Sequence, residues 1–193
     1  MNEQTKPVAI LLRTILPHPL LAGAAAGREA FALVRPAAES AGAHSLLCLD
    51  LAGMNVVTGS ALRELLLPLD ELSRKQNSVL VIGNLDDAAL DEIRLVAEAT
   101  RCPFICATLV NEQLQRPIIY GPLDEKLALT LQLVLEAGEA DAKTVHERSG
   151  ESTLVTVWNN RLVALENLGL LSKRKVGKTK YYAPILEGIL YGH

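Results

Sequence analysis

The residues with the clearest capacity for chemistry lie near the C-terminus. Lys173, Arg174, Lys175, Lys178 and Lys180 place five cations within eight residues, with no acid among them and Tyr181-Tyr182 directly after. Cations at that density can grip a line of phosphates and gain sequence-independent affinity by releasing condensed counterions. The alternative is a basic edge that discourages one strand from pairing with another copy. Upstream, at roughly 100° per residue, a helix over 153–168 puts Trp158, Leu162 and Leu165 on one face with Leu154 and Val155 beside them. That face is expected to pack on the helices before it. Thr153, Thr156 and Asn160 fall on the opposite face, where short hydroxyl and amide side chains suit the floor of a DNA major groove and asparagine matches the adenine edge. Asn159 and Arg161 sit on the flanks, better placed for phosphates. Plain solvation of an amphipathic helix is the other reading of these polar positions.

Other candidate chemistries fare worse. Gly177-Lys178-Thr179 has the end of a phosphate loop, but Ser172 stands where that loop needs its first glycine, and the surroundings read as a hairpin instead of a strand followed by a helix. Cys48, Cys102 and Cys106 are an odd number set among apolar residues, which suits reduced, buried thiols better than a disulfide framework or a metal site. His18, His44, His146 and His193 are scattered without metal-ligand spacing. Asp86-Asp87 and Asp91-Glu92 make an acidic helix start, which the helix dipole explains. No serine, cysteine or carboxylate sits in a recognisable catalytic motif, so an enzyme is the least supported class and neither a cofactor nor a metal is called for.

The elements that must position the basic cluster emerge from composition and pattern. The 193 residues are 49% hydrophobic, enough for one large core or two small ones, and two small ones fit better. Net charge is −3, yet residues 1–140 carry 11 Lys/Arg against 17 Asp/Glu while 141–182 carry 8 against 4, an acidic body with a basic appendage. No uncharged run of about 18 apolar residues occurs, so no membrane span is expected. The opening Met1-Asn2-Glu3-Gln4 is polar where a secretory signal would be basic and then apolar. The expectation is a cytoplasmic protein.

Strands are predicted at 8–16, 45–51, 78–83, 103–109 and 117–120 from their β-branched and aliphatic content. Helices are predicted between them: over 27–40, with Phe31, Val34 and Ala38 on one face and a kink or split at Pro36; from Ser60, with Leu62, Leu65, Leu66, Leu69 and Leu72 at helical spacing and an interruption at Pro68; and from Asp86 to near Thr100, with Leu90, Ile93 and Ala97 aligned. This alternation predicts an α/β layer for the first part. Gly121-Pro122 marks a boundary, because a proline disfavours helix at the residue before it. Three glycine-stopped helices follow, over 124–137, 141–149 and 153–168, then a basic hairpin within 170–185 around Val176-Gly177-Lys178-Thr179.

Helix, helix, helix and hairpin, with Leu162, Leu165 and Gly169-Leu170-Leu171 leading from the third helix into the hairpin, resembles the winged helix-turn-helix domains of bacterial transcription regulators. The resemblance implies a recognition helix, a wing and double-stranded DNA as partner. Earlier, Leu49-Asp50-Leu51-Ala52-Gly53 followed by Val57-Thr58-Gly59-Ser60-Ala61-Leu62 resembles the strand, loop and helix of STAS-like domains, the fold of anti-sigma factor antagonists. In phosphoregulated members of that group a serine after an aspartate is phosphorylated. Here Gly59 holds the serine's place and Thr58 the aspartate's, which leaves Thr58 and Ser60 as the possible switch hydroxyls. Phosphate would be electrostatically favoured at that helix start, and helix capping is the other role open to both.

The expected architecture is an α/β STAS-like domain over 1–121 followed by a small α+β winged-helix domain over 122–193. The expected function is a DNA-binding transcriptional regulator. DNA-contacting residues would be Thr153, Thr156, Asn159, Asn160, Arg161, Lys173, Arg174, Lys175, Lys178 and Lys180. A homodimer is expected from paired half-sites, with a protein partner open to the STAS-like domain. The rival is a protein-interaction switch in which the second domain docks on protein instead of DNA.

Overall fold

The computed structural model describes residues 6–192, an α/β chain with seven helices among them. The opening Met1-Asn2-Glu3-Gln4 and His193 lie outside the described residues. The chain divides into two compact units, Met1–Gly121 with Gly192–His193, and Pro122–Tyr191.

In the first unit, β1 (Val8–Leu11), β3 (Leu46–Asp50), β5 (Val79–Gly83) and β6 (Phe104–Val110) pair in parallel in that order, and β7 (Gln113–Tyr120) runs antiparallel to β6, so the sheet is mixed. A small parallel pair, β2 (Leu20–Leu21) and β4 (Val56–Val57), stands apart. The strand expected over 8–16 ends at Leu11. Leu12–Ile15 curls into a short turn of helix, α1, which buries Leu12 and is closed by the Leu16 N–H on the Leu12 carbonyl at 3.0 Å. The last of the five expected strands, 117–120, runs longer than its apolar content suggests, starting at Gln113. The β6–β7 turn places both Asn111 and Glu112 at positive φ, as a two-residue hairpin requires. Pro117, which has no N–H to give, enters β7 beside a register shift where Arg116 takes φ +50°.

The helices α2 (Gly23–Ser40), α3 (Gly59–Lys75) and α4 (Asp87–Thr100) supply the rest of this core, with Leu62, Leu65, Leu66, Leu69 and Ile93 fully enclosed. Neither proline divides its helix as expected. Pro36 and Pro68 both lie inside continuous elements; Pro36 is exposed and Pro68 partly so, and a carbonyl left without its N–H partner on such a face can turn to water. The first of these helices also starts four residues before the expected Gly27. That glycine instead marks the contact of α2 with α3, since a Cβ there would stand 2.2 Å from the Ala61 carbonyl oxygen.

The second unit holds α5 (Glu125–Ala137), α6 (Ala142–Ser149) and α7 (Val155–Asn167), then the antiparallel hairpin β8 (Leu171–Val176) and β9 (Thr179–Pro184). Asp124 and Asp141 cap α5 and α6 by accepting from backbone N–H groups one turn in, and Gly138 and Gly150 end them at positive φ. The hairpin is anchored at its base: Tyr182 exchanges two backbone hydrogen bonds with Ala140, at 2.8 and 2.9 Å, and Leu171 and Tyr182 are buried with Trp158, Leu162 and Leu165. Among the described residues no helix is long and apolar enough to cross a membrane.

Candidate functional site

The β8–β9 register sorts the five clustered cations. Directly opposed residues of an antiparallel pair share a face. Leu171 with Pro184, Lys173 with Tyr182, and Lys175 with Lys180 therefore lie on one face, and Arg174 with Tyr181 on the other. At the root, Lys173 pairs with Glu166 of α7, and this hydrogen bond raises the lysine's pKa above its ordinary value. Arg174 makes a two-pronged hydrogen bond to Glu139 and lies 5.1 Å over the Tyr181 ring. The same contact raises the arginine's pKa and lowers that of Glu139. Beside them the buried Tyr182 hydroxyl has no hydrogen-bond partner among the described residues and is held above its usual pKa, by burial first and then by Glu166.

At the tip the situation reverses. Lys175 and Lys180 face each other across the ladder, Lys178 occupies the turn beside Gly177 at φ +60°, and all three are exposed. None of these three makes an ion pair among the described residues. Like charges directly opposed weaken a strand pair, so a polyanion laid on this tip would relieve a repulsion as well as gain contacts.

The third helix departs from its expected bounds. It begins at Val155, with Leu154 in the N-cap position and no side chain capping it. Thr153 thus stands before the helix and not on its outer face. Its hydroxyl accepts from the Trp158 indole N–H at 2.8 Å, the partner that a buried indole requires. Arg161 does not reach outward either. Its guanidinium lies 4.3 Å over the Trp158 ring and 3.7 Å from Glu151, with the side chain largely covered. Thr156 and Asn160 are exposed and Asn159 is half-buried. Leu154 and Val155, expected to pack inward, are 73% and 40% exposed, because Trp158, Leu162 and Leu165 alone fill the buried stripe.

In the first unit, the loop after β3 and the start of α3 bring Asp50, Thr58, Gly59 and Ser60 toward candidate chemistry. Asp50 is buried and accepts from the Ala52 N–H at 2.8 Å and the Asn84 amide at 2.9 Å, which makes it a brace between two strand ends. Neither hydroxyl caps α3. The Thr58 oxygen accepts from the Gly23 N–H at 3.0 Å and shares a 3.2 Å contact with Ser60. The cap is Glu92 of α4, whose carboxylate accepts from the Gly59 N–H at 2.6 Å. The favourable place for a phosphate at this helix start is therefore already held by a carboxylate, which would repel an added phosphate on Thr58 or Ser60. A Cβ at position 59 would stand 2.7 Å from that carboxylate oxygen, so glycine and Glu92 fit each other.

A shallow crevice nearby is lined by Leu51, Met54, Val57, Asn84 and Asp86, among others. The thiols of Cys48 and Cys106 are buried and pushed up to about 12, by burial in each case, and half-buried Cys102 is also raised, by burial and by Asp70 beside it. Protonated thiols are poor nucleophiles. Glu92, Glu139 and Glu166 decide which cations and helix ends remain available, and sequence reading assigns them no such role. Glu139 and Arg174 are 35 positions apart, and Glu92 and Gly59 are 33 apart, so no local spacing announces either contact.

Comparison with models of known protein families and with curated proteins finds no match to this chain.

Proposed function

We propose that the second unit is a winged helix-turn-helix module that binds double-stranded DNA, and that the chain is a cytoplasmic, homodimeric transcriptional regulator. The first unit, in this reading, is a STAS-like domain that receives a signal or a protein partner. The observation that carries the proposal is the hairpin tip: Lys175, Lys178 and Lys180 project from a braced β-ribbon, and none of them is matched by an acid among the described residues. A wing holding phosphates needs cations in this condition. Thr156 and Asn160 would enter the major groove from α7, with Asn159 at its flank.

Under this proposal Thr153, Arg161, Lys173 and Arg174 act chiefly by holding Trp158 and the hairpin root in place, because each is engaged within the unit. A second reading, docking on a protein instead of DNA, draws on the exposure of Leu154 and Val155 at the start of α7. Fluorescence anisotropy of a labelled mixed-sequence duplex against the full chain, repeated across salt concentrations, separates the two. DNA binding predicts an affinity that falls by about 0.9 log units per phosphate contact per decade of salt. Absence of binding at low salt would remove the DNA reading for the free protein and leave protein docking.

A further inference from the structure

Resting on the DNA-binding reading above, we infer that the N-terminal end of α7 selects A·T base pairs, with Asn160 set against adenine and the exposed Leu154, Val155 and Val157 at the helix start and its flanks set against thymine methyl groups. Leu154, Val155 and Val157 are 73%, 40% and 37% exposed within four consecutive positions, while Trp158, Leu162 and Leu165 fill the buried stripe without them. Exposed Thr156 and Asn160 lie one helical turn apart on the side away from that stripe. In the major groove the apolar group displayed by a base edge is the thymine 5-methyl, and the edge that matches a carboxamide in two hydrogen bonds is adenine's.

Reading G·C pairs calls for other groups: arginine or lysine toward guanine, a carboxylate toward cytosine. The charged side chains of this helix are committed elsewhere. Arg161 is held over Trp158 and beside Glu151, and Glu166 is paired with Lys173. Over the first turns of the helix and its N-cap, what remains exposed is one amide, one hydroxyl and three aliphatic side chains. The unmatched lysines of the same unit argue for a polyanion as the occupant of this face in preference to an apolar protein surface.

The test uses the full chain and three labelled duplexes of equal length and charge at one moderate salt concentration: alternating A·T, the same duplex with uracil in place of thymine, and alternating G·C. Uracil removes the methyl group and keeps every hydrogen-bonding atom. The expected order of affinity is A·T, then A·U, then G·C, with roughly tenfold between first and last. A Leu154→Ala, Val155→Ala, Val157→Ala variant should bring A·T affinity down to that for A·U and leave A·U affinity unchanged, which also shows that the variant is folded. Asn160→Ala should narrow the gap between A·T and G·C. Equal affinity of the unaltered protein for A·T and A·U overturns the inference while leaving the wing's grip on DNA intact. Failure to bind any duplex at low salt instead removes the DNA reading itself. A change in self-association of the DNA-free protein on Leu154→Ala, read by sedimentation, would assign the apolar face to a second copy and overturn the inference as well.

Discussion

The N-terminus of α3 and the tip of the β8–β9 hairpin both attract anions, and they differ in what already stands there. At α3 the helix dipole and the Gly59 N–H are met by the Glu92 carboxylate, supplied by the neighbouring helix. At the hairpin tip Lys175, Lys178 and Lys180 have no such internal partner among the described residues. The hairpin root resembles α3 in this respect, since Glu139 and Glu166 answer Arg174 and Lys173. A cation or a helix end is a site for an outside ligand only when the fold has left it unmatched. Two regions that look equally promising by residue type are thereby separated by their carboxylates.

The largest expected effect tests the tip against the root. Replacing Lys175, Lys178 and Lys180 by alanine should flatten the dependence of duplex affinity on salt by roughly 0.9 log units per lost contact. Lys173→Ala should change that slope by less than one contact's worth, because this lysine already serves Glu166. Equal slope changes from tip and root, measured by anisotropy titration, would break the distinction.

The next effect sharpens the α3 side. Gly59→Ser places a Cβ against the end of Glu92, which can swing away but then gives up its hydrogen bond to the backbone N–H. The expected loss is about 1–2 kcal/mol, read by thermal or denaturant unfolding. In a Glu92→Ala background the same substitution should add little, because the contact is already gone. Additive losses would mean that glycine and carboxylate are not coupled.

Glu139→Gln should act more gently and in the opposite direction. It frees Arg174 from its two-pronged contact, so duplex affinity should rise a few-fold and become slightly steeper in salt. Unchanged binding in anisotropy titrations would mean that the root contributes nothing to the interface even when released.

These contrasts explain what is legible in the chain beforehand. Asp86, Asp124 and Asp141 announce helix starts, and Gly138 and Gly150 announce stops, because caps act within one turn of their own sequence. The period of Trp158, Leu162 and Leu165 likewise reports a buried stripe. Periodicity cannot say how wide that stripe is, and it turns Leu154 and Val155 inward where Trp158, Leu162 and Leu165 suffice. Pro36 and Pro68 suggest breaks, since sequence shows the missing N–H without showing whether solvent reaches the carbonyl it leaves. The carboxylates that neutralise Arg174, Lys173 and the start of α3 are tertiary neighbours. They decide where the candidate site lies, and nothing in their local sequence carries that information.

The smallest effect follows from the same carboxylates through pH. Glu139 has its pKa lowered from the ordinary 4.5, first by the hydrogen bond from Arg174. A carboxyl whose folded pKa lies below its unfolded value stabilises the fold above the unfolded value and loses that contribution as pH falls through the depressed one. Asp141 behaves alike: burial opposes the shift, but the hydrogen bonds from Thr144 prevail and lower it from 3.8. Both groups belong to the second unit, Glu139 at the hairpin root and Asp141 at the start of α6. Between about pH 6 and about pH 3, amide exchange should therefore quicken at the root, where Tyr182 and Ala140 exchange their hydrogen bonds, once the intrinsic pH dependence is divided out. Among the described residues the tip lysines have no carboxylate partner to lose, so Val176 to Lys180 should show no such loss of protection. Equal loosening of root and tip on acidification would show that the root pairs do not brace the hairpin, and with that the contrast between its two ends would fail.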